Sequence, residues 1–205
     1  MSLTDITFYL CDINKEVVDA WMLYFEGYDN FHVYHGNIFD APIDKYNNNA
    51  IVSPANSFGD LQGGIDLVYY EFFGRNLETA LQDAIMSEKY GELIVGDALM
   101  VKVNSFYFIS APTMRVPQRL EANSVNAYLA FRAVLIKLIE FNKNNHDPIT
   151  HVYCPGLGTS IGKLKPHYCA KQMVDAYNIM IRPDDNLELA KKSCEHYSMT
   201  TYYAT

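Results

Sequence analysis

The alternation of strand-like and helix-like segments is the feature of this sequence that most restricts its fold. Several of the strand-like runs are apolar on both faces, which is typical of a sheet covered by helices on both sides. We therefore predict an α/β fold of three layers, α/β/α, with a mixed central sheet. The predicted strands lie at residues 7–13, 31–37, 49–55, 92–103, 105–114 and from 150 onward, and the predicted helices at 15–25, 64–73, 75–90, 123–142 and 166–181.

Length and composition fit one such domain. The chain has 205 residues, of which 49% are hydrophobic and 20% charged, so a sizeable core is expected. We assign residues 1–182 to the α/β domain and residues 183–205 to a C-terminal extension, because Pro183-Asp184-Asp185-Asn186 breaks the helical pattern. Within the extension, residues 187–205 form a tail that either packs a short helix on the body or frays.

Charge and targeting signals restrict the partners. The formal net charge of −8 argues against a protein that coats nucleic acid, since phosphate contacts need clustered Lys and Arg. No apolar run approaches the roughly 18 residues of a membrane span, and the N-terminus lacks the features of a signal peptide. We expect a cytoplasmic protein with no membrane partner, while the oligomeric state stays open.

The cysteines are expected to be reduced thiols, because they lie far apart and nothing indicates secretion. A zinc site built from His151, Cys154, His167 and Cys169 is the alternative. Their spacing matches no zinc pattern, and Cys169 falls within a predicted helix. We therefore predict neither a metal nor a cofactor.

Two glycine-bearing loops leave strands at the edge where an α/β sheet binds its ligand. The first loop, residues 53–66, reads SPANSFGDLQGGID and leads into a helix. The second, residues 155–163, reads PGLGTSIGK. Glycine lets a backbone approach a ligand closely, and strand–loop–helix segments often bind phosphate through N–H groups. Each loop alone could be a simple tight turn, but two at one sheet edge favour a shared anion site.

The second loop does not match the common nucleotide motifs. A Walker-type loop needs Gly where this chain has Leu157 and Ser or Thr where it has Leu164. GLGTSIG resembles a variant of the dinucleotide fingerprint, but it follows the last strand and lacks the acidic residue expected about 20 positions later. A nucleotide-dependent oxidoreductase is therefore disfavoured, although this pattern leaves it open.

Asn56 and Asp66 are the polar residues of the first loop that could carry chemistry. The alternative for Asn56 is a structural role as an Asx-type turn or a helix cap. The alternative for Asp66 is a favourable interaction with the dipole of the helix that it begins. Asp60 and Gln62 are expected to solvate the tip of the loop.

Three motifs in order resemble the macrodomains, a family that binds ADP-ribose and related molecules. IVSPANSFGDLQGGID is similar to the family's apolar strand, Asn-x-Ala-Asn, variable loop, Gly-Gly and aliphatic-Asp signature. PGLGTSIGK resembles its Pro-x-x-Gly-Thr-Gly-x-x-Gly phosphate loop, with Ser160 in place of the middle glycine. HGNIFD resembles the Gly-Asp-Ile motif, with Asn37 where the family usually has Asp. The resemblance covers residues 31–181 and implies a macrodomain-like fold.

The resemblance also implies a role for each candidate residue. Asn37 and Ile38 would contact adenine, Ile38 through its backbone. Asn56 would hydrogen-bond the distal ribose, and Asp66 would orient or activate a water beside that sugar. Residues 63–65 and 158–162 would line the two sides of the diphosphate. The ligand-binding candidates in the two loops are Ala55, Gly63, Gly64 and Ile65, and Gly156, Gly158, Thr159, Ser160, Ile161 and Gly162.

Three hypotheses follow for the function. The first is a hydrolase that acts at the distal ribose of ADP-ribosylated protein side chains, ADP-ribose 1''-phosphate or O-acetyl-ADP-ribose. The spacing from Asn56 to Asp66 resembles that of macrodomains that hydrolyse such linkages. The second hypothesis is a non-catalytic reader that binds free or protein-linked ADP-ribose. The third is a structural protein with a degenerate version of the fold.

Overall fold

The structure is a computed structural model, and it describes residues 1–43, 48–182 and 189–204. The described strands are β1 (Thr7–Asp12), β2 (Phe31–His35), β3 (Asn49–Ser53), β4 (Leu99–Val103), β5 (Phe106–Ser110) and β6 (His151–Cys154). The described helices are α1 (Lys15–Tyr24), α2 (Ile65–Phe73), α3 (Arg75–Lys89), α4 (Asn126–Asn144), α5 (Pro166–Ile181) and α6 (Leu189–Ala204). Short 3-10 turns lie at Leu3–Asp5 and Ile38–Asp40.

The strand predicted at residues 92–103 is the largest departure from the sequence analysis. The strand begins only at Leu99, because the preceding residues form turns. Gly91 and Gly96 have φ of 90° and 96°, which extended strands do not adopt. The N–H of Asp97 also donates to the carbonyl of Ile94 at 3.1 Å, which closes one of these turns. The predicted break at 183–186 and most of the predicted loop at 44–49 lie outside the described residues.

The six strands form one mixed sheet in the order β2-β1-β6-β3-β5-β4. Neighbouring strands are parallel except at one edge, where β4 runs antiparallel to β5. A tight connection around Asn104, which has φ of 51°, joins this antiparallel pair. The predicted α/β class and mixed sheet are therefore confirmed.

Two hydrophobic cores lie on opposite faces of the sheet and make the fold three-layered. One core joins the sheet to α1, α4 and α5, and Trp21 and Phe131 are fully buried in it. The other joins the sheet to α2 and α3 through Tyr69, Leu77 and Leu81. Successive residues of β3 pack alternately into the two cores. This explains why the sequence of the strand is continuously apolar.

Helix α6 lies in the segment that we predicted to be a C-terminal extension. Met199 is buried against the core that holds α4 and α5, and Arg182 forms an ion pair with Glu195 at 2.7 Å. Residues on α6 thus pack on the body, which is one of the two arrangements that the sequence allows. In the described part of the chain, no helix combines the length and apolarity that crossing a bilayer requires.

The neighbouring parallel strands β3 and β6 position the functional site. They pair in register from Asn49 with His151 to Ile51 with Tyr153, so their carboxyl ends lie side by side. The loop after β3 and the loop after β6 are the two glycine-bearing loops of the sequence analysis. The sheet therefore brings both loops to one edge, as expected for an α/β fold.

Replacing Trp21 by Ala tests the core on the α1 face. Trp21 is 0% exposed, and its Nε1 donates to the Sδ of Met173 at 3.4 Å. We expect Trp21→Ala to lower the free energy of unfolding by about 3–5 kcal/mol, because the change leaves a large cavity. Met22 on the same helix is 57% exposed, so Met22→Ala is the control, with an effect within about 0.5 kcal/mol. Urea denaturation followed by circular dichroism measures both, and equal effects would contradict this packing.

Candidate functional site

A cleft of about 730 Å³ opens at the carboxyl edge of the sheet. The loops that follow β1, β2, β3, β5 and β6 all contribute to its lining. Of the predicted site residues, all except Ala55 line this cleft. Ala55 is 1% exposed and belongs to the core beneath α2. It is a neighbour of Asn56 in the chain, but it does not line the cleft.

The first loop reaches the cleft through Gly63 and Gly64, just before α2 begins. Gly64 has φ of 60° and ψ of −137°, a conformation that glycine adopts readily and that turns the chain into the helix. In the described part of the chain, the N–H groups of Gly63 and Gly64 donate to no protein acceptor. These donors stand at the positive end of the α2 dipole, where an anion is stabilised.

The second loop presents a row of further N–H groups. Within the described residues, the N–H groups of residues 158–162 find no acceptor on the protein. The loop is closed on itself, because Leu164 donates to the carbonyl of Gly158 at 3.0 Å. A Cβ at Gly162 would lie 2.5 Å from that same carbonyl, so the turn requires glycine there. Successive N–H groups of this kind form a nest that binds anions.

The two loops face each other across the cleft. A Cβ built on Gly64 would lie 3.5 Å from the Oγ of Ser160, and one on Gly63 would lie 3.0 Å from the Cδ1 of Ile161. The gap between Gly63 and Gly64 of the first loop and the middle of the second loop is therefore only about as wide as one side chain. Both loops thus line one cleft with N–H groups that have no acceptor among the described residues, an arrangement suited to an anion.

Gly156 differs from residues 158–162 of the second loop, because its N–H is already used. It donates to the Oδ2 of Asp12 at 3.1 Å, and the N–H of Asn14 donates to the Oδ1 of the same carboxylate at 2.8 Å. Burial raises the pKa of Asp12 above its usual value, and these N–H bonds oppose the rise. Asp12 lines the cleft but was not among the predicted residues, although its place at the end of a strand-like run was a usable signal.

Asp66 lies in the first turn of α2 and is 8% exposed. The Oγ of Ser53 donates to its Oδ1 at 2.5 Å. Burial raises the pKa of Asp66 to about 7, the bond from Ser53 lowers it, and the nearby charge of Asp60 raises it. A carboxyl group that titrates near neutral pH in a cleft is suited to proton transfer.

Asn56 lines the cleft, but its amide is largely committed to its own loop. Its Oδ1 accepts from the N–H of Phe58 at 3.0 Å and of Asp60 at 3.4 Å, and its Nδ2 donates to the carbonyl of Asp60 at 2.9 Å. This is the Asx-type arrangement that the sequence analysis left open as the alternative. One N–H of the amide still has no partner in these bonds.

The loops after β1 and β2 form the other end of the cleft. The Oδ1 of Asn37 accepts from the N–H of Phe39 at 3.0 Å, so its Nδ2 is the part of the amide that can still bind a ligand. Ile38 is buried, whereas Ile13 lines the cleft and is 77% exposed. No aromatic side chain lines the cleft in the described part of the chain, so a bound base would pack on aliphatic groups. Nothing in the sequence had indicated that Ile13 would line the site.

The remaining wall comes from the loop after β5. Thr113 and Met114 line the cleft, and the Oγ1 of Thr113 donates to the carbonyl of Pro54 at 3.2 Å. Lys163 is the one Lys or Arg among the described lining residues, and it has φ of 53°.

Across the described residues, no group of three or more His, Cys, Asp or Glu side chains could hold a metal ion. All four cysteines are free thiols.

Comparison with known proteins adds to this geometry. No protein-family model matches the chain. The macrodomain of Mycobacterium tuberculosis DarG superposes with a TM-score of 0.55 at 21% identity, covering 70% of this chain and 87% of that one. An Oceanobacillus iheyensis macrodomain variant solved with ADPR gives 0.54 at 16% identity, covering 82% and 90%. The macrodomain of the same organism with ADP gives 0.52 at 18%, covering 77% and 84%. The chain therefore has the macrodomain fold.

The pH dependence of stability tests the environment of Asp66. Its pKa of about 7 in the folded chain lies above the ordinary value of 3.8, so the folded state holds this proton more tightly than the unfolded state. The resulting stabilisation is present below pH 4 and is lost as pH rises to 7. We expect Asp66→Asn to gain stability relative to the wild type over this range, by on the order of 4 kcal/mol at most. Urea denaturation at pH 4 to 8 measures the difference, and parallel curves would contradict the assignment.

Proposed function

We propose that this protein binds ADP-ribose or a derivative in the cleft. The observation that carries the proposal is that Gly63, Gly64 and residues 158–162 line one cleft, and that their N–H groups have no acceptor among the described residues. A diphosphate offers several acceptor oxygens and two negative charges, and such N–H groups satisfy both without a mobile cation. Structures with the same fold have been solved with ADPR and with ADP, which supports this choice of ligand.

The two ends of the cleft would then bind the adenosine and the distal ribose of the ligand. The adenine would lie against Asn37 and Ile38, and the distal ribose would lie near Asn56 and Asp66. The acidic net charge of −8 supports a small anion held by backbone groups rather than a nucleic acid. We further propose a cytoplasmic protein in which residues 1–182 form the ligand-binding domain and 183–205 an extension.

The proposed reaction is hydrolysis of a bond at the distal ribose. A water would lose one proton to the carboxylate of Asp66 as its oxygen bonds to the electrophilic centre. The bond to the leaving oxygen would break at the same centre, and that oxygen would take up a proton. The candidate substrates are ADP-ribosylated protein side chains, ADP-ribose 1''-phosphate and O-acetyl-ADP-ribose. With one carboxylate as the main catalytic group, we expect slow turnover.

A reader without catalytic activity is the second candidate. The hydrogen bonds of Asn56 favour it, because they tie up most of the amide that would otherwise fix the distal ribose. A reader would use the same diphosphate site, so binding alone does not separate the two candidates. A protein with no ligand at all is the third.

Calorimetric titration with ADP-ribose tests binding. Gly64→Glu would place a carboxylate beside Ser160, in the gap between the two loops, and we expect it to weaken binding at least about tenfold. Gly27→Glu is the matched control, because Gly27 also has a positive φ but lies in the connection that leads to β2, at the opposite edge of the sheet. It should bind like the wild type. If the wild type does not bind ADP-ribose, the proposal fails and the structural alternative stands.

Turnover of the three candidate substrates separates hydrolase from reader. We expect Asp66→Asn to keep ADP-ribose affinity and to lose about 100-fold or more of the rate, as removal of a general base does. The wild-type rate should rise with pH around the pKa of Asp66, about 7, because the ionised form accepts the proton. Binding without turnover of any of the three would identify a reader. A rate that falls through this pH range would exclude a base role for Asp66.

A further inference from the structure

Two buried serines end neighbouring strands beneath the cleft. Ser53 ends β3 and Ser110 ends β5, and the two are register partners in the sheet. Both are 0% exposed, and neither lines the cleft. Their hydroxyls have different environments: the Oγ of Ser53 is bonded to Asp66, whereas the Oγ of Ser110 has no partner among the described residues.

Ser53 links the strand end to the carboxylate in two ways. Its Oγ donates to the Oδ1 of Asp66 at 2.5 Å and accepts from the N–H of Ala55 at 3.2 Å. The second bond fixes the hydroxyl oxygen, so that its hydrogen is directed to Asp66. A buried hydroxyl held at both ends in this way has little freedom to rotate.

The two oxygens of Asp66 are therefore unequal. Oδ1 is held by Ser53 from inside the fold. Oδ2 accepts no hydrogen bond from the described part of the chain. It is also not sealed from solvent. Since Asp66 lines the cleft, Oδ2 is the oxygen that a water or ligand in the cleft can reach.

We propose that Ser53 is a positioning residue for Asp66: its hydroxyl fixes one carboxylate oxygen in the core and leaves the other turned to the cleft. The proposal rests on the hydrolase function proposed above. It gives Ser53 a role without contact to the substrate. It also explains why a polar residue occupies this fully buried strand end, where an apolar side chain would pack without needing a partner.

The other groups around Asp66 do not replace this contact. Asp60 is the charged neighbour, and its negative charge disfavours a second charge at Asp66. Tyr69, on the same helix, donates its hydroxyl to the carbonyl of Val52 at 2.9 Å, away from the carboxylate. The Ser53 hydroxyl is thus the group that favours the ionised form of Asp66 against burial and Asp60.

Removal of the hydroxyl should shift the titration of Asp66. We expect Ser53→Ala to move the midpoint of the Asp66 carboxyl titration, followed by carbon NMR and assigned with Asp66→Asn, to higher pH. The rate at pH 7 should fall about threefold or more and recover as pH rises, while KM for the substrate stays unchanged. Ser53→Cys keeps a hydrogen-bond donor at this position, slightly larger and much weaker than the hydroxyl, so it should fall between Ser53→Ala and the wild type.

Ser110→Ala is the matched control. It removes a hydroxyl at the same depth and register, but one without a hydrogen-bond partner. We expect it to leave both the Asp66 titration and the pH–rate profile where the wild type has them. An equal shift in Ser110→Ala would show a general effect of the strand ends and would overturn the proposal.

The measurements also separate failure of this inference from failure of the proposed function. If the wild type hydrolyses a substrate and Ser53→Ala and Ser53→Cys both keep its pH–rate profile and titration midpoint, the role of Ser53 is wrong and the hydrolase function stands. If the wild type binds ADP-ribose but shows no turnover, the hydrolase function fails and takes the catalytic role of Ser53 with it. A shifted midpoint together with a shifted profile supports both.

Discussion

The parallel pairing of β3 with β6 is the constraint on which the site depends. These strands run side by side in the middle of the sheet, so the loops that follow them emerge at the same edge and in contact. Together they approach each other closely, since a Cβ built on Gly64 would lie 3.5 Å from the Oγ of Ser160. The proposed anion site thus depends on the strand order and on two short glycine-bearing segments.

The charges around the cleft make the backbone donors essential to the proposed binding. Asp12, Asp60 and Asp66 line the cleft, and Lys163 is the one cationic side chain among its described lining residues. A doubly charged diphosphate would therefore depend on N–H groups and on the positive end of α2. Its charge would also disfavour ionisation of Asp66 when bound, in the same direction as burial does. In the proposed reaction, ligand binding and proton transfer would consequently be linked at this carboxylate.

Much of the fold could be predicted from the sequence, because local signals agree along the chain. Apolar residues at helical intervals predicted the helices. Strands that are apolar on both faces predicted a sheet covered by helices on both sides. Residues 92–98 were wrongly predicted as strand because their apolar content resembles one, while the left-handed conformations at Gly91 and Gly96 become visible only in three dimensions. The place of both glycine-bearing loops at one edge followed from the α/β class alone.

The details of the site were less accessible, because they depend on which strands are neighbours. Asp12 holds Gly156 because β1 lies beside β6, and the sequence does not reveal that order. Ala55 faces the core, although the resemblance placed it with the ligand-binding residues. The commitment of the Asn56 amide to its own loop was a known alternative, but the sequence contains nothing that decides it.

Amide resonances during an ADP-ribose titration test the central claim most directly. The claim is that both glycine-bearing loops donate N–H groups to one diphosphate. We expect the signals of Gly63, Gly64 and residues 158–162 to shift together along one saturation curve, while those of Gly27 and Gly74 do not move. A titration in which only one of the two loops responds would contradict it.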